Sequence, residues 1–303
     1  MLQAEKGTSV ADEDGELEAY PPPGIDMQRP SVARVYDYYL EGDASWAVDR
    51  KFGDAVLHEF PVLRKIAKAN RVFLHRVVRH LISLGVTQFI DIGAGLPTMQ
   101  HAHQVADDLA PGRTRVVYAD YDPIAVSHSQ GLLAEHGDPR RHAAIHADLR
   151  APDRLWKQVA DTAILDLDQP VAILLIAVLH VQQPASQQSG DTGDVGPAAV
   201  ARYREIVPRG SYLAISHITD EGVPSAYDEP LIKLKELYDQ KSSPVVWRNH
   251  RDISGLFGDF ALIPPGLTWT TDWHPEDRSP TEPKIEFATP NESLIMAGVG
   301  RKA

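Results

Sequence analysis

The chain has 303 residues, a formal net charge of -12 and no cysteine. The length suits one large α/β domain with additions or two small ones, and the lack of cysteine excludes disulfides, thiolate metal sites and cysteine nucleophiles. No run approaches the roughly 18 apolar residues of a membrane span, and an acidic body repels a phosphate backbone, so neither membrane nor nucleic acid is expected as a partner.

The start lacks a basic segment followed by an apolar one, so it does not read as a secretory signal, and a reducing cytoplasm is the expected location. Residues 1–24 are acidic, poor in aromatics and end in PPPG, which predicts a disordered tail. RPSVARVYDYYLEG (29–42) predicts a short helix with Val32, Val35, Tyr36, Tyr39 and Leu40 on one face. A second helix is expected over 46–58. A third, in 62–85, carries an apolar stripe of Ile66, Phe73, Leu74, Val77, Val78 and Leu81 and stops at Gly85. Residues 25–85 therefore form a helical segment ahead of the first strand.

From residue 86 the pattern alternates. Strands are expected at 87–93, 115–120, 143–148, 171–180 and 211–217. Helices are expected from about 98, over 123–136, near 153–160, near 198–207, over 228–240 and near 251–257. Candidate strands 267–273 and 293–300 close the chain. The polar, glycine-containing stretch 182–196 reads as a mobile loop with the makings of a lid. Such alternation gives a doubly wound, mostly parallel sheet whose ligand sits at the carboxyl ends of the strands.

The first of those ends is DIGAGLPT (91–98). Gly93 and Gly95 allow a tight turn and close approach of a ligand. A dinucleotide fingerprint needs a third small residue three places after the second glycine. Here that place holds the β-branched Thr98, and Pro97 has no N–H to offer a pyrophosphate. No Gly-Lys-Ser/Thr follows, which excludes a P-loop. Asp120 ends the second strand, 25 residues after Gly95, and is assigned to ribose hydroxyls. Charge-assisted bonds of that kind stabilise by roughly 1.5–3 kcal/mol each. Asp122, before Pro123, reads as a helix N-cap. With Asp148 at the third strand, the acids form a row suited to a nucleoside that carries an amino group and no phosphate, as S-adenosylmethionine does.

SVARVYDYYLEG, AKANRVFLHRVVRHL, FIDIGAGLPT, VVYADYDPIAVSHSQGLL, ADLR, PVAILLIAVLH, GSYLAISH and PPGL together resemble a bacterial S-adenosyl methyltransferase family formerly labelled a domain of unknown function. The likeness runs from about residue 26 to 302. It implies the Rossmann-like, seven-stranded class I methyltransferase sheet, mostly parallel with the last strand antiparallel, and an N-terminal helical cap (25–85) on a methyltransferase domain (86–303). It places Asp91, Gly93, Ala94 and Gly95 at the methionine end of the cofactor, Asp120 and Tyr121 at the ribose, Asp148 and Leu149 at the adenine, and His180 facing the methyl group. Where the family has a Gly-Gly-Lys-like stretch after the tyrosine helix, this chain has EGDASW (41–46). The resemblance names no methyl acceptor; a small molecule is expected.

His180 and, less directly, His217 are candidate general bases, since histidine titrates near neutrality; either could instead be a strand-end histidine bonded to loop backbone. Tyr36 and Tyr39 are candidates to close over a sulfonium, or plain core aromatics. Arg71, Arg34 and Asn70 are candidates for the cofactor's carboxylate. His101 and His103 are two apart on a helix and diverge, and His142 and His146 lack a third ligand, so no metal site is expected. Two other functions stay open: a catalytically silent S-adenosylmethionine-binding regulator, and an NAD-dependent oxidoreductase on a similar sheet.

Overall fold

The computed structural model describes residues 28–96, 98–183 and 193–303, with the backbone of two short strands nearer the start. Those strands, β1 (Val10–Ala11) and β2 (Leu17–Glu18), pair antiparallel. The rest of the predicted tail lies outside the described residues, as do Pro97 and most of the predicted loop.

Three helices follow: α1 (Val32–Tyr39), α2 (Ala47–Glu59) and α3 (Leu63–Ser83). The stripe predicted for α3 is buried along its length. Its end is a Schellman motif: Gly85, at φ +87°, donates to the Ile82 carbonyl at 2.9 Å, and Val86 donates to that of Leu81 at 3.0 Å. The expected alternation then appears in chain order as β3 (Gln88–Ile92), α4 (Ala102–Leu109), β4 (Arg115–Asp120), α5 (Pro123–His136), β5 (His142–His146), α6 (Pro152–Asp161), β6 (Ala172–Ile176), α7 (Gly196–Ile206), β7 (Tyr212–Ile218), α8 (Asp228–Lys241) and α9 (His250–Phe257). The chain closes with β8 (Ala261–Leu262), β9 (Thr268–Trp269) and β10 (Ile295–Arg301). None of the described helices is long and apolar enough to cross a membrane.

The main sheet has eight strands in the order β5-β4-β3-β6-β7-β10-β8, with β9 also on β10. Strands β3 to β7 pair in parallel and β10 runs antiparallel to β7. The short β8 and β9 share one edge, each pairing a different part of β10. The expected seven-stranded sheet is present, with its edge strand broken in two.

Alternation along the strands divides the core. Ile90, Ile92, Val117, Ile173 and Leu213 pack with α6, α7 and α9. Phe89, Val116, Tyr118 and Leu174 pack on the other face with α3 and α4. Burying each large side chain of this kind stabilises by roughly 1.5–3 kcal/mol. A third cluster joins α1, α2 and the start of α3 to Leu231, Leu234 and Tyr238 of α8, so the helical cap recruits a helix from late in the chain.

Several boundaries differ from expectation. The helix expected from about 98 starts at Ala102, because Met99 and Gln100 hold positive φ angles of 59° and 27°. The strand expected over 171–180 stops at Ile176, because Ala177 turns into the left-handed region at φ 58°. The candidate strand 267–273 is reduced to Thr268–Trp269.

Candidate functional site

A cavity of about 490 Å³ opens at the carboxyl ends of β3, β4 and β6, roofed by α1, α3 and α8. Of the residues assigned from sequence to the cofactor, Asp91, Gly93, Ala94, Gly95, Asp120, Tyr121, Asp148, Leu149, Tyr36 and Arg71 line it, as do the candidates Tyr39 and Asn70, whereas Arg34 does not.

The two loop glycines serve different ends. At Gly93 (φ +73°) a Cβ would stand 2.5 Å from Val178 Cγ2, so this glycine is required by packing. At Gly95 (φ +65°) a Cβ would meet nothing within 4 Å, which leaves open space beside a residue that lines the cavity. The Gly95 amide donates to Asp120 Oδ2 at 2.8 Å and the Asp122 amide to Asp120 Oδ1 at 2.8 Å. Asp120 is thus both a loop anchor and a ligand candidate; burial raises its pKa, against these backbone bonds. Asp122 caps α5 through Ile124 N–H at 2.8 Å, as expected, and also accepts from Ser31 Oγ at 2.6 Å.

Asp148 lies two residues beyond β5 rather than at its tip, held in a fork by Arg150 at 2.9 Å and 2.7 Å. Burial pushes its pKa up, and the Arg150 hydrogen bonds outweigh this, so the net shift is downward. Tyr121 is 60% exposed and carries the Arg150 guanidinium 5.1 Å from its ring centre. The Leu149 side chain is buried, and its carbonyl accepts from Tyr203 Oη at 2.9 Å.

Period-two alternation puts Asp91 on the same face as Phe89, toward α3. There it meets the field of Arg71, which sits in the middle of that helix. Asp91 Oδ2 is buried with no hydrogen-bond partner, and so are Nε and Nη2 of Arg71 and Oδ1 of Asn70. Burial, opposed by Arg71 and reinforced by Asp120, raises the Asp91 pKa to about 7. Asn70 Nδ2 donates to Tyr36 Oη at 2.9 Å, and Tyr36 Oη donates to the Ala67 carbonyl at 3.2 Å.

Other candidates are placed differently. Arg34 is spent on a buried ion pair with Asp49 at 2.6 Å and lies over Trp46 at 4.1 Å, so it does not serve the cofactor. Tyr39 Oη pairs with Tyr238 Oη at 2.9 Å, in the cap core and at the cavity wall. His180 lines the cavity but stands four residues past β6, its buried Nδ1 without a partner. Burial, with His217 and Arg248 nearby, lowers its pKa to about 3. His217 does not line the cavity: Nδ1 donates to the Ile218 carbonyl at 2.7 Å, and Nε2 accepts from Arg248, which also binds Asp194. That leaves His217 no free nitrogen for catalysis. His101 and His103 are buried with ring centres 6.0 Å apart, and His103 Nδ1 is bonded to Tyr118 Oη at 2.7 Å. His146 Nε2 donates to the Tyr121 carbonyl at 2.8 Å, bracing the second strand-end turn.

Sequence reasoning missed the contacts that fasten the cap. Asp37 of α1 accepts from Thr98 Oγ1 just after the glycine loop, and from Ala44 N–H at 3.0 Å. Gly42 follows the tyrosine helix because a Cβ there would lie 2.0 Å from Asp37 Oδ1. The Ser31 contact with Asp122 was foreshadowed only by a serine just before the first helical residue. Away from the cavity, ligand atoms of His80, His274 and Asp277 lie within 4.8 Å of one another. The two rings stack at 3.8 Å, and the Asp277 carboxylate already holds His80 Nδ1 at 2.7 Å.

The unpartnered atoms define what fits. A guanidinium with two idle N–H sites beside an idle carboxylate oxygen complements an α-amino acid zwitterion. The acids toward β4 and β5 complement a ribose and an adenine, and among the described residues the lining holds no lysine, nor does the sequence hold a P-loop, for phosphates. S-adenosylmethionine fits this donor set. Fold and site together define a class I S-adenosylmethionine-dependent methyltransferase. The sequence model of the S-adenosyl methyltransferase family matches residues 18–303, and the chain belongs to that family. A protein of Thermobifida fusca YX provisionally assigned as a methyltransferase is 35% identical, with 94% of this chain and 99% of that one covered and a TM-score of 0.79. A DUF574 family protein of Streptomyces avermitilis MA-4680 is 31% identical, with 92% and 99% covered and a TM-score of 0.78. No curated protein matches the chain. The oxidoreductase alternative falls with the family assignment.

Proposed function

We propose that the chain transfers a methyl group to a small molecule bound under the helical cap. The observation that carries this is one cavity joining the acid row of Asp91, Asp120 and Asp148 to an apolar space between α3 and α8. Asp91 and Arg71 hold the amino acid end of the cofactor, Asp120 the ribose, and Asp148 with Leu149 and Tyr121 the adenine side. Gly93, Ala94 and Gly95 form the floor, and Tyr36 closes over the sulfonium, where an aromatic face favours positive charge. Bound there, S-adenosylmethionine supplies an electrophilic methyl carbon. The protein's part is to hold the acceptor in line and exclude water.

Residues 25–85 act as the cap and 86–303 as the catalytic domain, with α8 contributing to the roof. His180 orients the acceptor rather than acting as a strong base. The reaction belongs in the cytoplasm, and a net charge of -12 argues against a nucleic-acid acceptor. Titration with S-adenosylhomocysteine, followed by methyl transfer from labelled cofactor into a metabolite pool, tests the reading. Saturable binding with transfer into a small-molecule fraction is expected; binding without transfer to any fraction would favour the silent regulator.

A further inference from the structure

The charges of the cavity are unevenly distributed. Asp148 and Arg150 pair with each other, Asp120 and Asp122 hold backbone amides, and Asp37 holds Thr98 and Ala44. Arg71 and Asp91 face each other's field in the amino acid subsite. All of these belong to residues before 151. Among the described residues, every lining residue from Ile176 to Ile295 is uncharged at neutral pH.

That second half of the wall is built from Val181, Ile218, Leu234, Val245 and Ile295, completed by Leu63 and Ile66 of α3. Its polar groups are largely satisfied internally. Tyr39 and Tyr238 bond each other at 2.9 Å, and the Tyr36 hydroxyl is occupied by Asn70 and Ala67. Gln183 Nε2 is turned to the Val181 carbonyl at 2.9 Å. Among the described residues of this part of the wall, a carboxylate or phosphate finds no free cation, and an ammonium finds no free carboxylate. Either would be desolvated without compensation. Among the described residues, two lining residues of this cavity outside the Asp91–Arg71 subsite keep a buried, unpartnered polar atom: Asn70, whose Oδ1 is left over while its Nδ2 holds Tyr36, and His180, whose Nδ1 belongs to this second half of the wall. A hydroxyl both donates and accepts, so it satisfies that nitrogen in either tautomer.

We infer that the methyl acceptor is an uncharged, largely apolar molecule carrying a hydroxyl, seated between α3 and α8 with the hydroxyl bonded to His180. This rests on the methyltransferase reading and narrows it to a substrate class. It accounts for the cap's recruitment of α8, whose buried face supplies Leu234 and Tyr238 to the wall.

The test is binding to the full chain saturated with S-adenosylhomocysteine. A panel of neutral phenols of one to three fused rings is compared by calorimetry with matched analogues bearing a carboxylate or an aminomethyl group. At least one neutral phenol is expected to bind about tenfold or more tightly than both of its charged analogues, the direction set by uncompensated desolvation. His180→Ala is expected to weaken that phenol while leaving S-adenosylhomocysteine affinity within about twofold, since loss of one hydrogen bond acts only at its own ligand. Equal or tighter binding of a charged analogue, or no binding of any neutral phenol, overturns the inference while the cofactor reading stands. Failure of S-adenosylhomocysteine itself to bind overturns both.

Discussion

The Gly95 amide donates to the Asp120 carboxylate at 2.8 Å, linking the glycine loop to the tip of the neighbouring strand before any ligand arrives. A single acid therefore shapes the cradle and faces what lies in it. Asp120→Asn and Asp120→Ala separate the two duties. The amide keeps an oxygen for one backbone donor but loses the charge. It should weaken S-adenosylhomocysteine binding about tenfold, and alanine by about a hundredfold, as charge-assisted bonds of roughly 1.5–3 kcal/mol are removed. Calorimetric affinities within twofold of the parent for both variants would refute the ribose assignment.

Asp91 gives a pH signature. Its carboxyl is raised from 3.8 to about 7 by burial. In the unfolded chain it ionises near 3.8, so its contribution to folding is fully present below that pH and is lost as pH rises through about 7. Ligand-free protein should lose stability over that window, and Asp91→Asn should flatten the curve. A bound ammonium favours the carboxylate, so S-adenosylhomocysteine affinity should rise with pH and level off above about 7, with proton release below it. Thermal melts and titrations in buffers of different ionisation enthalpy measure both; a pH-independent affinity contradicts the role given to Asp91.

His180 is held neutral, with a pKa lowered to about 3 by burial. Its removal should lower kcat on the order of 10²-fold, about the loss expected when a reacting group is misplaced by roughly 1 Å. The kcat profile of the parent should show no inflection from this residue between about pH 5 and 8, where an unperturbed histidine titrates. An inflection in that interval that vanishes in His180→Gln would restore the general-base reading.

The two glycines make a paired test. Gly93→Ala combines a strained φ of +73° with a Cβ at 2.5 Å from Val178. It should destabilise the fold by about 2–5 kcal/mol, the sum of a left-handed residue and overpacking. Gly95→Ala meets only the backbone cost, roughly 1–2 kcal/mol, but fills the ligand side and should abolish cofactor binding. Adding Val178→Ala should recover part of the loss at Gly93 and none at Gly95. Melting temperature and affinity, read together, check all three.

Arg34 and Arg71 look alike in the sequence, both basic on helices of the cap. The structure separates them by partner: Arg34 meets Asp49 at 2.6 Å, and two of Arg71's nitrogens meet nothing. Asp49→Ala should cost about 3–5 kcal/mol by stranding a buried charge, whereas Arg71→Met should leave stability nearly unchanged and weaken cofactor binding. A melt showing the reverse order would overturn the division.

These residues also mark how far the sequence could be read. Helix α3 and the mostly parallel character of the sheet were legible because apolar periodicity and the alternation of strand and helix record burial directly, and the acids Asp91, Asp120 and Asp148 do line one cavity, though Asp148 lies beyond its strand. That Asp91 shares a face with Phe89 follows from alternation; that α3 covers this face does not. The position of His180 was not legible. VAILLIAVLH continues apolar past the point where Ala177 turns left-handed, and no glycine announces the turn. The broken edge strand was hidden for a related reason: LTWTTDW has strand composition, but only Thr268 and Trp269 pair in register with β10, with one further bond from the Thr270 amide to the Ile295 carbonyl. The roles of Asp37 and Asp49 depend on which helix packs against which, information that no local window holds.

Ser31 and Asp37 fasten the cap to Asp122 and Thr98, both beside the nucleoside cradle. The same short stretch of chain therefore feels two occupancies at once. Whatever steadies the roof also deepens the hold on the nucleoside, and by reciprocity a seated nucleoside stiffens the roof by an equal free energy. With the cofactor seated as proposed, departure of the spent nucleoside and loosening of the first helix should be one coupled event, which the fluorescence of Trp46 in a variant lacking the other tryptophans would register.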